Sequence, residues 1–523
     1  MNVSVLPATS SITSKLKLVL WFFAVAGLVW AQQSIPCWRG GQWLAGSHAD
    51  GPFHFYCELS RLNQDYFKND LAVQSNQALG AYETTYRGVG KLAQLTGWSL
   101  LETNLVLCWV GNFLYLAGVF ALLTRLSLSP AWCALGTMLV AQPYIMLSMS
   151  SGVVHSLVIP REFWLWPLPW FIMWFAMGRR EGWRLIIFYA ALGGTYSLTY
   201  PLWAALFGVG FGLADSWRLW RGSRRVDFAW LAAGGVVCAA LVIAPALGLA
   251  QMAAGGESAV MDYNQIVQSV YLGKGFRRLL IFAALGWIAF HYLGKCRRGQ
   301  LESTQRLHAL LGASLVVCLV YEPPQRLIPT LSLLYIGRLS LITYLISMVA
   351  VTIWLHEMWT TWQPRGRTLA IVGLLILMID PVKHVFRDWR DQSPPVQLDF
   401  VRLCRSAKKE IPISGLSIVP LDRGCHYFRV YAERGLWISP KDNGVLSRTR
   451  VLYREAKDRL QTLETFYAAD TTHAAREALL NQMHTNGVTH VVTTSDVAWP
   501  KALSWPVIQQ QGVWQLRAPI QTP

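Results

Sequence analysis

The chain has 523 residues, of which 53% are hydrophobic and only 14% charged, with a mean hydropathy of +0.32. Soluble domains run near a quarter charged and have no core large enough for this apolar excess, so lipid is the solvent such a composition requires. The net charge of +17 would suit a nucleic-acid binder, but the basic residues stand in short clusters between apolar runs, which is a signal of membrane topology and leaves no nucleic-acid partner. Many of the 25 Trp and 19 Tyr fall at the ends of those runs, as in the aromatic belts of a bilayer interface.

The first apolar run, Leu16 to Trp30, follows Lys15 and Lys17 and reads as an uncleaved cytoplasm-to-outside helix. Val29-Trp30-Ala31 also fits a signal-peptidase site, and either reading sends the next segment outward. Further runs follow at Leu101 to Leu123, Ala131 to Met149, Phe163 to Met177, Leu185 to Leu198, Leu202 to Ala214, Phe228 to Leu249, Leu279 to Tyr292, Leu307 to Tyr321, Leu339 to Leu355 and Thr368 to Ile379. The expected fold class is therefore a polytopic α-helical membrane protein of about eleven spans. Several runs have only 13 to 17 residues, so Leu185 to Ala214 also reads as one broken hairpin turning at Tyr200-Pro201.

Basic clusters at Arg179, Arg180 and Arg184, at Arg218, Arg221, Arg224 and Arg225, at Lys295, Arg297, Arg298 and Arg306, and at Arg365 and Arg367 occupy alternate loops. A cytoplasmic N-terminus satisfies the positive-inside rule for all of them, and an odd number of spans then puts the C-terminal region outside. Two local cysteine pairs, Cys37 with Cys57 and Cys404 with Cys425, fall on that oxidising side. Each pair predicts a disulfide closing a loop of about 20 residues, worth about 3 kcal/mol, against the alternative of four separate thiols.

The expected division is a membrane domain over residues 1–393, with a first outer loop at 32–100, and an outer α/β domain over 394–523. In the loop, Phe55, Leu59 and Leu62 give one apolar face to a helix that Asp50 and Pro52 begin. In the tail, helical patterns at Val396 to Glu410, Val445 to Phe466 and Thr472 to Thr485 alternate with extended ones at Leu416 to Pro420, Leu436 to Ser439, His490 to Thr494 and Val513 to Leu516. No nucleotide or zinc motif occurs there, so a lid or interaction module is the plainest use of the domain.

Ionisable groups near membrane depth are costly and mark candidate sites. On the outer side these are the loop acids Asp50, Glu58, Asp65 and Asp70 with His54, then His155 with Arg161, Lys274 with Arg277 and Arg278, Glu322 with Arg326, and Arg338. The basic members run against the positive-inside bias. They converge on an anionic group such as a lipid-linked phosphate, or else snorkel individually to lipid headgroups.

This layout resembles the GT-C superfamily of polyprenyl-phosphate-sugar-dependent glycosyltransferases. Asp50 to Asp70 is similar to the acidic first loop of those enzymes, although here Asp50 is followed by Gly51, and Phe428-Arg-Val-Tyr-Ala-Glu-Arg434 with Lys441 looks like a tail segment of bacterial members. The resemblance implies a multi-pass protein of the bacterial inner membrane. It also implies a polyprenyl-phosphate-linked sugar as donor, a glycan, lipid or protein acceptor, and sugar transfer on the outer face. Asp50 would be the general base, with Asp65 or Asp70 next in line. Arg277, Arg278 and Arg338 would contact phosphate, with Arg161, Arg326, Lys274, His54 and His155 around them. No metal constellation or cofactor is evident, though the acidic loop can hold a divalent cation. The competing expectations are a non-catalytic scaffold of envelope-polysaccharide assembly and a lipid-linked-glycan transporter; the latter would be expected to show repeats, and none is seen.

Overall fold

A computed structural model describes residues 12–39, 50–63, 65–79, 83–142, 144–145, 150–151, 165–178, 273–296, 301–327, 340–361, 364–390, 398–421, 427–442, 450–497, 499 and 505–519. Its first half comprises α1 (Ile12–Arg39), α2 (Asp50–Leu62), α3 (Leu71–Leu79), α4 (Glu83–Thr96), α5 (Leu100–Arg125), α6 (Pro130–Ala141), the short pair β1 (Tyr144–Ile145) and β2 (Ser150–Ser151), and α7 (Leu168–Ala176). Then come α8 (Gly273–Leu293), α9 (Glu302–Leu327), α10 (Ser340–Thr361) and α11 (Arg365–Arg390). Three of the expected spans, Leu185 to Leu198, Leu202 to Ala214 and Phe228 to Leu249, lie outside the described residues.

Among the described residues, three helical segments are long and apolar enough to cross a membrane: Leu100–Arg125, Phe276–Leu293 and Ser340–Thr361. Their surroundings fit lipid on the outside and protein within. Central α10 is buried along nearly its whole length, while Trp109, Phe113, Ile281, Trp287, Leu375 and Ile376 of α5, α8 and α11 are exposed. Apolar surface on this scale is stable only against hydrocarbon. Small residues let the helices close up. A Cβ on Gly111 would lie 1.9 Å from the Trp166 indole, and one on Gly286 would lie 2.5 Å from the Ser347 hydroxyl.

Contacts at two heights fix the direction of each helix. Trp30 meets Trp109 while Phe22 meets Phe120, so α1 runs against α5. The Tyr344 hydroxyl donates to the Leu139 carbonyl at 2.9 Å and Thr352 abuts Gly136, so α10 runs against α6. Phe282 packs on Tyr344 and Tyr292 on Trp354, making α8 parallel to α10. His308 lies beside Phe290 while Ser314 bonds Thr343 at 2.8 Å, so α9 runs the opposite way. Arg367 over Trp359 and Gly373 beside Leu355 do the same for α11. Thus α5, α8 and α10 begin, and α1, α6, α9 and α11 end, at one end of the bundle.

At that end sits the tail: α12 (Leu398–Glu410), β3 (Leu416–Ile418), α13 (Phe428–Tyr431), β4 (Gly435–Leu436), α14 (Arg450–Tyr467), α15 (His473–Thr485), β5 (Val488–Thr494), β6 (Val507–Gln511) and β7 (Trp514–Arg517). They form a mixed five-stranded sheet in the order β4-β3-β5-β7-β6, in which β3 is parallel to β4 and β5, and β7 is antiparallel to β5 and β6. The Thr472 hydroxyl caps α15, and Gly487 at φ +91° turns the chain into β5. The tail and the first loop share one core: Phe55, Val89, Ala93 and Leu100 pack with Phe400, Phe428, Tyr431 and Trp514.

The expected disulfides are not supported. Cys57 and Cys404 are buried thiols, 1% and 0% exposed, each on a core-facing side of its helix; the Cys37 side chain and Cys425 lie outside the described residues. Burial pushes the Cys404 thiol well up, as for a small apolar core side chain.

Candidate functional site: the membrane cap

Helices α2, α3 and α4 form a cap between α1 and α5, and four-residue spacing along α2 carries Asp50, His54 and Glu58 up the helix. Asp50 is the first residue of α2, with its side chain outside the described residues. His54 is buried, and its Nδ1 lies 2.8 Å from the Tyr86 hydroxyl on α4. Glu58 is fully buried where the cap meets α5. Its Oε2 accepts from Asn104 Nδ2 at 2.8 Å, while Oε1 has no partner among the described residues. Burial raises the Glu58 carboxyl to about 8, against the lowering effect of Asn104, so near neutral pH it is mostly protonated. The acidic pattern of the loop signals such a carboxyl, but only its seat against α5 distinguishes it from its neighbours.

Asp70 has a different occupation. Its Oδ1 accepts from the Ala72 N–H at 3.1 Å, capping α3, and its two oxygens take Arg429 Nε and Nη2 at 2.7 and 3.0 Å. The same guanidinium gives Nη1 and Nη2 to Asp442 at 2.8 Å each and lies over the Tyr56 ring at 4.7 Å. Leu436 N–H adds a bond to Asp70 at 3.0 Å, and Ser439 N–H one to Asp442 at 2.8 Å. All three side chains are essentially inaccessible. Burial works against the charge of Arg429, but Asp442 and Asp70 outweigh it and hold the guanidinium protonated. This geometry makes Asp70 a clasp between loop and tail, with its oxygens committed. A second tie runs from Asn69 Nδ2 to the Ser414 carbonyl at 3.1 Å.

The tail segment Phe428 to Arg434 supplies the other half of the joint. Phe428 and Tyr431 enter the shared core, while Arg434 donates to the carbonyls of Lys408, Ile411 and Glu433 around the end of α12. Nearby His490 is pulled down to about 4 by burial and by Arg434, so it is neutral in its bond to the Thr489 hydroxyl at 2.8 Å.

Asp65 is exposed and lines a cavity of about 710 Å³ between α2, the following turn and α4. Its walls carry Arg61, Lys68, Arg87 and Lys91, with Ser60, Tyr86 and Gln94. Arg277 is exposed and Arg278 half-buried near the start of α8, at the same end of the bundle as the cap. Lys274 is the second residue of that helix and Arg326 lies near the end of α9, with their side chains outside the described residues. Arg338, Arg161 and His155 lie wholly outside them. Among the described residues, no group of three or more His, Cys, Asp or Glu is placed to hold a metal ion.

No protein-family model and no curated protein matches the chain. Among solved structures it is similar to the crystal structure of the Archaeoglobus fulgidus oligosaccharyltransferase complexed with Zn and sulfate. The two are 12% identical, the match covers 91% of this chain and 68% of that one, and the TM-score is 0.49. A likeness of that degree carries no chemistry across.

Proposed function

We propose that this membrane protein is a GT-C-type glycosyltransferase, moving a sugar from a polyprenyl-phosphate donor to an acceptor hydroxyl at the cap end of the bundle. The observation that carries the reading is the placement of exposed Asp65 on a polar cavity of the cap, at the bundle end where α8 begins and carries Arg277 and Arg278 in its second turn. A carboxylate there takes the proton of an acceptor hydroxyl as its oxygen attacks the anomeric carbon. The C–O bond to the phosphate breaks, and the cations stabilise the departing anion. Asp65 is the base in this scheme; Asp50, at the head of α2, is the residue tested beside it. Asp70 is left to hold the tail, and the cap end faces the outside.

The test is glycan synthesis by membranes from a strain whose own copy is deleted, complemented with Asp65→Asn or Asp50→Asn. The general base should lose about two to four orders of magnitude in rate while membrane insertion stays normal. Full synthesis by both variants overturns the acid-base scheme and leaves the scaffold reading, which the closed Asp70–Arg429–Asp442 clasp also suits.

A further inference from the structure

We propose that neighbouring helices α1 and α11, at the bundle end away from the cap, hold an anionic phospholipid, with its phosphate on Lys17, Arg365 and Arg367 and its acyl chains on the apolar faces below them. A ladder of contacts sets these cations at one height. Phe22 meets Phe120 across the antiparallel pair α1 and α5. Lys17 stands as many residues before Phe22 as Arg125 stands after Phe120, so Lys17 and Arg125 are level. The Thr124 hydroxyl donates to the Cys133 thiol at 3.6 Å, the adjoining Trp132 ring lies 6.1 Å from that of Trp359, and the Arg367 guanidinium lies 5.5 Å over Trp359. From this level to Ser99, the cap at the other end of α5, the helix rises about 39 Å, a hydrocarbon core of about 30 Å with part of each headgroup layer. The cations therefore lie at the depth of headgroup phosphates.

Each helix places a cation at the head of an apolar face. On α11, Leu369, Val372, Ile376 and Ile379 follow Arg365 at steps of four, three, four and three residues, so all five share one side, and all are exposed. On α1, exposed Trp21 and Leu28 follow exposed Lys17 on one side in the same way. That flank is turned away from α5, which α1 meets through Phe22, Phe23 and Trp30. Helices α1 and α11 pack together and both begin at this end. Charge at the head and hydrocarbon below is the form of a lipid, whereas a soluble phosphate ester would use only the head.

The charge balance selects an anionic headgroup. Among the described residues Lys17, Arg365 and Arg367 take part in no ion pair, and all three are exposed. The carboxylates at these helix ends are Glu302, taken up by Arg306 at 2.7 Å, and Glu357 on α10. A guanidinium pairs with phosphate oxygens through parallel bonds, and the Trp359 ring holds that of Arg367 in place. A zwitterionic lipid brings its own ammonium and leaves the cations unanswered; a lipid of net negative charge neutralises them. The site lies at the opposite end of the bundle from the Asp65 cavity and does not rest on the glycosyl-transfer reading.

The experiment uses the full chain, delipidated in detergent, and reads bound lipid by native mass spectrometry with phosphatidylglycerol or phosphatidylcholine added. Expected is preferential retention of phosphatidylglycerol, weakened about tenfold in Lys17→Ala with Arg365→Ala and in Arg365→Ala with Arg367→Ala. Retention should stay within about twofold of wild type in the charge-keeping Lys17→Arg with Arg365→Lys, and in Arg125→Ala with Lys295→Ala, which removes two cations of the same bundle end from other helices. Excess glycerol phosphate should leave the lipid bound. Equal retention of both lipids by the wild type, or no loss in the Arg365 and Arg367 pair, overturns the site. Equal loss in the Arg125 and Lys295 pair replaces it with a diffuse charged belt, and displacement by glycerol phosphate removes the role of the apolar faces. The Arg365 and Arg367 pair keeps Lys17, so the test stands even where loss of Lys17 disturbs insertion.

Discussion

Arg429 is the residue on which the most contacts of the joint converge, and it is fully buried between two carboxylates. Removing one member of such a group leaves uncompensated charge in a low dielectric, so Arg429→Ala should cost about 3–5 kcal/mol. Arg429→Lys should cost less but not nothing, since an ammonium cannot reproduce the paired bonds to both acids. Thermal unfolding in detergent checks this; an unchanged midpoint for Arg429→Ala would mean the clasp is not stabilising. Glu58 makes a pH prediction. Its carboxyl titrates at about 8 in the fold against 4.5 ordinarily. Below the lower value both states keep the proton and there is no penalty. As pH rises from there to about 8, the unfolded chain releases its proton first, and the fold loses on the order of a few kcal/mol. Glu58→Gln should flatten that part of the stability-pH curve, with the wild type losing stability as pH rises. A variant with the same slope as wild type would place the titration elsewhere.

At the scale of elements, local pattern and packing divide the explanation. The Ser99–Glu102 capping box starts α5 with reciprocal bonds, Ser99 N to Glu102 at 2.8 Å and Glu102 N to Ser99 at 3.2 Å. The expected tail elements appear with ends shifted by a few residues, and the structure adds β6, whose Val507–Gln511 carries three consecutive glutamines and sits at the sheet edge, so its sequence shows no apolar alternation. Helices α3 and α4 are likewise added by the structure: α4 has few apolar residues, and what holds it is Val89 and Ala93 meeting the tail core. Gly111 tests the packing of α5 on the Trp166 indole. Gly111→Leu should lower stability by about 1–3 kcal/mol through overpacking, and pairing it with Trp166→Ala should recover part of that loss. Additive losses in detergent melts would show that the two residues do not share the contact.

For the whole molecule, the clasp requires loop and tail to lie on the same side of the membrane, because Asp70 and Arg429 bond directly. Reporters inserted near Ala81 and fused after Pro523 should therefore give the same compartment signal, phosphatase-active and dark for a fluorescent protein that matures only in the cytoplasm, as the loop charges predict. Opposite signals would contradict the fold itself; matching cytoplasmic signals would invert only the orientation. A chain cut after Arg390 should insert but expose Phe55, Val89 and Leu100 and leave Asp70 without its guanidinium, and aggregation of the cap is the expected result.

Composition and apolar runs determined the membrane class, and helical and extended periodicity determined the alternating tail, because these depend on each stretch of chain meeting lipid, water or a core by itself. The same local reading gathered the loop acids into one candidate set. Only the tertiary structure divided them: Asp70 is tied to a guanidinium 359 residues away, Glu58 is sealed against α5, and Asp65 is exposed on a basic cavity. It likewise buried Cys57 and Cys404 as thiols where nearby cysteines along the chain had suggested disulfides. Spacing along a sequence limits which groups can meet, but desolvation and the partner that answers a charge depend on what the distant chain brings to the same place.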